Sequence, residues 1–243
     1  GVTADPALQE STPQERTTVR YRGLITKGEE LRYVSHLDYA NLFVRACKRA
    51  GLPMAYSEGF NPHMKVAFAS ALSLGAASDA EYVDFEMTEE LPPHEVMQRL
   101  RAQLPRGAEI IRLRLQEGKH RALMADVDEA RYRLKIPYEG ELAPVRESVR
   151  RYNSAAHAVW ERVTPKKSRS IETKEYIKAP ISFQYENGCL ILWMNLVVSP
   201  AGSVKPIEVL SAMVRDFALP VDPAEAYVTR TGLFAEGEAL IER

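Results

Sequence analysis

Asn187-Gly188 stands between two apolar runs, Ile181–Tyr185 and Cys189–Val198. Both residues of this pair tolerate positive φ, so the chain is expected to reverse there in a two-residue hairpin and set two antiparallel strands side by side. The rest of the chain supplies partners for that hairpin. Arg131–Ile136 alternates apolar and cationic residues as a half-buried strand does, and Leu142, Val145, Val149 and Tyr152 recur at helical spacing. Lys205–Phe217 places Ile207, Leu210, Val214 and Phe217 on one helical face, and Ala226–Arg230 closes the series as a strand.

The first half shows the same order. Thr17–Thr26 alternates, with Val19, Tyr21 and Ile25 opposed to Arg20 and Arg22. Ser35 with Asp38 three positions on reads as a helix start, and Gly51 followed by Pro53 ends that helix. Met64–Ser70 and Glu81–Met87 read as strands, Pro93–Leu104 as a helix, and Ile110–Leu115 as a fourth strand. The order β-α-β-β-α-β is the split βαβ arrangement. The expected class is therefore α+β, with two tandem ferredoxin-like halves. The expected boundaries are a disordered tail over 1–16, a first half over 17–117, a linker over 118–129 and a second half over 130–243. The second half carries a basic insertion, Val159 to Lys178.

Charge is segregated although the net charge is only −1. Residues 16–65 hold nine Lys/Arg against four acids, and 66–100 hold one against seven. Residues 141–182 hold nine against five, and 183–243 hold four against eight. Such a chain can offer a basic surface to a polyanion while staying near neutral overall. Two cysteines, Cys47 and Cys189, lie on apolar faces and read as buried thiols. They form no cluster for iron–sulfur or zinc, so neither metal nor cofactor is expected. The apolar run ending at Val198 is too short to span a bilayer, and a cytoplasmic protein without membrane contact is expected.

The candidate binding residues follow from the pattern. Alternation puts Arg20, Arg22, Arg112 and Arg114 on one sheet face, where four guanidinium groups would hold phosphates; cross-strand pairing with Asp84 and Glu86 is the competing use. The helix after Ser35 shows Arg45, Lys48 and Arg49 on its solvent side. The next segment, Tyr56-Ser57-Glu58-Gly59-Phe60-Asn61-Pro62-His63-Met64-Lys65, combines turn formers with an aromatic ring and cations. Tyr56, Phe60, Asn61, His63 and Lys65 there suit a single-stranded RNA, with Phe60 either stacking on a base or anchoring the loop in the core. Lys166, Lys167 and Arg169 suit a phosphate backbone, or else form a solvated loop. For acid–base chemistry the candidates are His36, at a helix start that favours the neutral imidazole, and His63, with Glu58 and Tyr56 nearby in sequence.

Ser-His-Leu-Asp at 35–38, Arg-Ala-Gly-Leu-Pro at 49–53 and Tyr-Ser-Glu-Gly-Phe-Asn-Pro-His at 56–63, in this order, resemble the bacterial radical SAM-linked proteins. That family is a domain encoded beside, or fused to, radical SAM enzymes. The resemblance spans Val19 to Leu233 and includes the basic segment ahead of Ile171–Ile177. At the end it departs from the pattern, with Gly232 where an acid is expected. It implies a radical SAM enzyme as partner. Together these readings give an RNA-binding accessory protein that presents a structured RNA, a tRNA or rRNA, to such an enzyme. The alternatives are an RNA-modifying or RNA-cleaving enzyme using His36, Glu58 and His63, and a protein scaffold that does not touch RNA.

Overall fold

The Ser35 hydroxyl accepts the Asp38 backbone N–H at 3.1 Å and starts helix α1, His36–Arg49. A computed structural model describes residues 17–243, so the expected tail lies outside the described residues. Around α1 the first half runs β1 (Val19–Lys27), α1, β2 (Val66–Phe68), β3 (Ala77–Met87), α2 (Pro93–Arg101) and β4 (Ile110–Gln116). These strands lie in the order β4-β1-β3-β2, each antiparallel to its neighbour.

The segment 118–129, read as a linker, folds as a turn of helix α3 (Leu123–Asp126) and inserts Leu123 and Val127 into the core. The second half follows with β5 (Glu129–Pro137), α4 (Leu142–Ser154), β6 (Val159–Val163), β7 (Ser168–Glu172), β8 (Ser182–Glu186) and β9 (Cys189–Ser199). It ends with β10 (Gly202–Ser203), α5 (Pro206–Phe217), β11 (Tyr227–Ala235), β12 (Glu238–Ala239) and a 3₁₀ turn, Leu240–Glu242. Here the order is β8-β9-β5-β11, again antiparallel. Asn187 and Gly188 both take positive φ, 51° and 76°, between β8 and β9 as a two-residue hairpin requires.

The two halves share one mixed sheet. β3 is long enough to serve three partners: β1 along one edge, β2 at Val83–Phe85, and β11 at Ala77–Ser78, where the pairing is parallel. Arg230, on β11, is 2% exposed and ties this seam together. Its guanidinium donates to Glu81 on β3 at 3.1 Å, to the carbonyls of Ser70 and Ala71, and to the Tyr132 hydroxyl.

The apolar positions found by alternation line two cores. In the first half Tyr21, Ile25, Val83 and Phe85 pack beneath Tyr39, Phe43, Cys47, Val96 and Leu100, and burial pushes the Cys47 thiol up to about 12. In the second, Leu134, Ile136, Leu192 and Met194 meet Val145, Val149, Leu210 and Met213.

Three arginines expected on an open face bond the protein itself: Arg22 is enclosed, while Arg112 and Arg114 stay exposed and hold the chain end. Arg22 is 1% exposed and holds Asp84 in two hydrogen bonds, of 2.8 and 3.0 Å, while donating to the Leu240 carbonyl. Arg112 pairs with Glu242 at 2.7 Å, and Arg114 donates to the Ile241 carbonyl at 3.1 Å. The physical reason is that the chain end folds back over this face, with Leu240 and Ile241 buried in the core. Gly232 is explained by the same region. A Cβ there would sit 2.4 Å from the ring of Phe234, on which Arg131 stacks at 3.8 Å, so any side chain at 232 requires that ring to move.

Candidate nucleic-acid interface

The loop that follows α1 is built to project. Tyr56 bridges to Met64, the Ser57 N–H donates to the His63 carbonyl at 2.8 Å, and the His63 N–H donates to the Ser57 hydroxyl at 3.0 Å. The Ser57 hydroxyl also lies 3.1 Å from His63 Nδ1. With its base closed in this way, the loop sends Glu58, Gly59, Phe60, Asn61 and Pro62 into solvent, and Gly59 takes φ +114° at the turn. Phe60 is fully exposed, at 105%. It is therefore not a core anchor.

Beside the base of this loop is an open cleft of about 390 Å³ whose walls include Arg20, His63, Lys65, Glu86 and His120. Glu86, Arg20 and Gln116 are cross-strand partners in one row across β3, β1 and β4. Glu86 accepts from the Thr18 hydroxyl at 2.7 Å and lies 3.9 Å from Lys65 Nζ. Arg20 is half-buried and stands in no ion pair among the described residues. Gln116 is buried, and neither polar atom of its amide has a protein partner among the described residues. Gln116 and His120 are not among the residues that the sequence pattern picked out. The segment after β4 turns back over the sheet edge, bringing His120 to Arg20, and no local pattern signals such a return.

The predicted residues thus fall into three groups. Arg20, His63 and Lys65 share the cleft, and Tyr56, Phe60 and Asn61 belong to the loop above it. Arg45, Lys48 and Arg49 are exposed on α1, which leads into the loop, and none is in an ion pair among the described residues. Lys166, Lys167 and Arg169 lie in the second half. Their segment is an ordered hairpin, β6–β7, whose turn is closed by hydrogen bonds between Thr164 and Lys167. Arg162 fastens this hairpin to α5, donating to Glu208 at 2.6 and 2.8 Å and to the Ser203 carbonyl at 3.0 Å.

Among the described residues no hydrogen bond joins His36, Glu58 and His63. His36, half-buried at the start of α1, packs edge-on against Phe68, at 5.7 Å between rings. Burial lowers the His36 pKa below the ordinary imidazole range, against the opposing pull of Glu81. His63 lies in the cleft with Arg20, and its ring nitrogen meets Ser57 rather than Glu58 or Tyr56. Among the described residues no group of three or more His, Cys, Asp or Glu side chains is arranged to hold a metal ion, and no helix is long and apolar enough to cross a membrane.

A family described as an uncharacterized protein conserved in bacteria (DUF2344) matches residues 20–206. No curated protein matches the chain. Among solved structures, one from a crystal structure of a Cbf5–Nop10–Gar1 complex is 10% identical with a TM-score of 0.45. The match covers 88% of this chain and 50% of that one, so this chain spans about half its length. An unknown protein from Galdieria sulphuraria is 14% identical with a TM-score of 0.27, over 88% of this chain and 99% of the other. Neither likeness is close enough to bear on activity. The family match extends over most of the chain, and the chain belongs to the DUF2344 family.

Proposed function

We propose that this member of the DUF2344 family is an RNA-binding accessory protein, one that holds an unpaired stretch of tRNA or rRNA and offers it to a separate radical SAM enzyme. The RNA part is carried by Phe60. Leaving a phenylalanine ring wholly in water forgoes about 1.5–3 kcal/mol that burial would contribute. Here the ring stands on a loop closed beneath it by Ser57 and His63, above a cleft with Arg20, Lys65 and His120. An exposed ring with cations at its base suits a splayed nucleotide, whose base stacks while its phosphate meets the cations. Arg45, Lys48 and Arg49 extend that cationic surface along α1. The radical SAM partner rests on the sequence resemblance alone. A tandem ferredoxin-like architecture divided near the α3 segment is supported by the two matching strand orders, β4-β1-β3-β2 and β11-β5-β9-β8.

Phe60→Ala tests the reading. Titrating a fluorescein-labelled 12-nucleotide single strand should show affinity lower by about 1–3 kcal/mol. Thermal stability should change by less than about 0.5 kcal/mol, since the ring touches no core. Wild-type protein that binds neither single-stranded nor loop RNA would leave the scaffold reading. RNA cleavage or modification by the protein alone, lost in His63→Gln, would leave the enzyme reading.

A further inference from the structure

The second half has its own open sheet face, on the side away from its helices. Along β5 the residues facing the helices, Tyr132, Leu134 and Ile136, are buried, whereas Arg133 is half-buried and Lys135 exposed. Register places Arg133 opposite Trp193 on β9 and Lys135 opposite Tyr227 on β11. Two aromatic residues therefore flank a central strand bearing two cations, roughly 12 Å apart on the diagonal, two strand spacings across and two residues along. Arg133 lies 6.0 Å from the Trp193 ring centre. Tyr227 is held by Arg32, whose guanidinium stacks on it at 4.4 Å and on Tyr33 at 4.8 Å. The face opens into a shallow cleft of about 600 Å³, whose rim also carries Glu29 and Glu186. Neither acid forms an ion pair with Arg133 or Lys135, and both cations are without a carboxylate partner among the described residues.

We infer that this face is a second nucleic-acid site, a platform on which Trp193 and Tyr227 stack bases of a single strand while Arg133 and Lys135 hold the phosphates between them. It deepens the RNA-binding reading by adding a surface separate from the Phe60 loop, so the bound RNA touches both halves. A single strand is the occupant that uses every feature. A duplex hides the faces of its bases, and an acidic peptide has no use for two rings spaced across the strand that bears the cations.

The test uses the full-length protein and a 5′-fluorescein 12-nucleotide oligouridylate, with a duplex of equal length as control. Trp193→Ala should weaken single-strand binding at least fivefold, Trp193→Phe should retain most of it, and duplex binding should hardly move. Arg133→Gln should flatten the slope of log affinity against log salt by about 0.7, the share of one phosphate contact on a single strand. In a Trp160→Phe background the remaining indole, Trp193, should be quenched as the oligonucleotide saturates. This readout and Trp193→Phe keep the test decisive should Trp193→Ala fold poorly. Unchanged affinity in a folded Trp193→Ala, absent quenching, or displacement of the strand by an equal charge of polyglutamate would overturn the platform. Loss of binding in Phe60→Ala with none in Trp193→Ala removes this site and leaves the loop reading standing, and the reverse pattern removes the loop and leaves the platform. Wild-type protein that binds no RNA removes both.

Discussion

Arg22 and Asp84, in direct register on β1 and β3, meet through two parallel hydrogen bonds, Nε to Oδ1 at 2.8 Å and Nη2 to Oδ2 at 3.0 Å. The arginine is buried and the carboxylate nearly so, and the third guanidinium nitrogen bonds the Leu240 carbonyl. This pair belongs to the scaffold, because a charge so enclosed cannot reach a phosphate. Arg22→Met should therefore cost about 3–5 kcal/mol in denaturant unfolding, by leaving the Asp84 charge buried without a partner. Arg22→Met with Asp84→Leu should recover much of that loss. RNA affinity of the folded fraction should stay at the wild-type value, and a selective loss of affinity would return Arg22 to the binding surface.

Arg230 and Glu81 do the corresponding work at the seam between the halves, at 3.1 Å with side chains 3% and 2% exposed. Arg230→Met should lower stability by about 3–5 kcal/mol. It should also uncouple the halves. Both tryptophans, Trp160 and Trp193, lie in the second half, so their fluorescence follows that half while far-ultraviolet circular dichroism follows the whole chain. The two transitions should coincide in the wild type and separate in the variant. Coincident transitions in Arg230→Met would show that the sheet pairing of β3 with β11 suffices to couple them.

The hairpin anchor should respond to acid. Burial works against ionisation of Glu208, but its hydrogen bonds to Arg162 and to the Lys205 backbone outweigh that, holding its carboxyl below the ordinary value of 4.5. A depressed carboxylate pKa contributes stability that is present above the unfolded value and is lost as pH falls through the folded one. The stability gap between wild type and Glu208→Gln should be full above about pH 4.5 and close below it, measured by melts from pH 7 to pH 3. A gap that persists at pH 3 would mean that the glutamine disturbs packing rather than charge.

The tip of the same hairpin tests the polyanion reading. Replacing Lys166, Lys167 and Arg169 together by alanine should flatten the salt slope of single-strand binding by about two units if all three meet phosphates. Folding should be unaffected, because all three are exposed and the anchor at Arg162 is untouched. An unchanged slope would mark the tip as solvated only.

Local chemistry made much of this fold legible. Ser35 caps α1, Asn187-Gly188 turns the hairpin, and alternation in β1 and β5 separates Tyr21 and Leu134 from the arginines beside them. Each of these depends on residues within a few positions, where steric limits and hydrogen-bond geometry act directly. Alternation also put Arg20, Arg22, Arg112 and Arg114 on one face correctly, but it could not tell what would cover that face. The chain end, more than a hundred residues beyond β4, folded back to use three of the four and left Arg20 in the cleft. Phe60 carried no local sign of its exposure, which was decided by the closure of its loop between Ser57 and His63. The grouping of His120 with Arg20, and of Trp193 with Arg133, came only with the assembled sheet. Sequence fixes which way a side chain points within its own strand; which strands become neighbours, and what packs over them, depends on burying two cores at once.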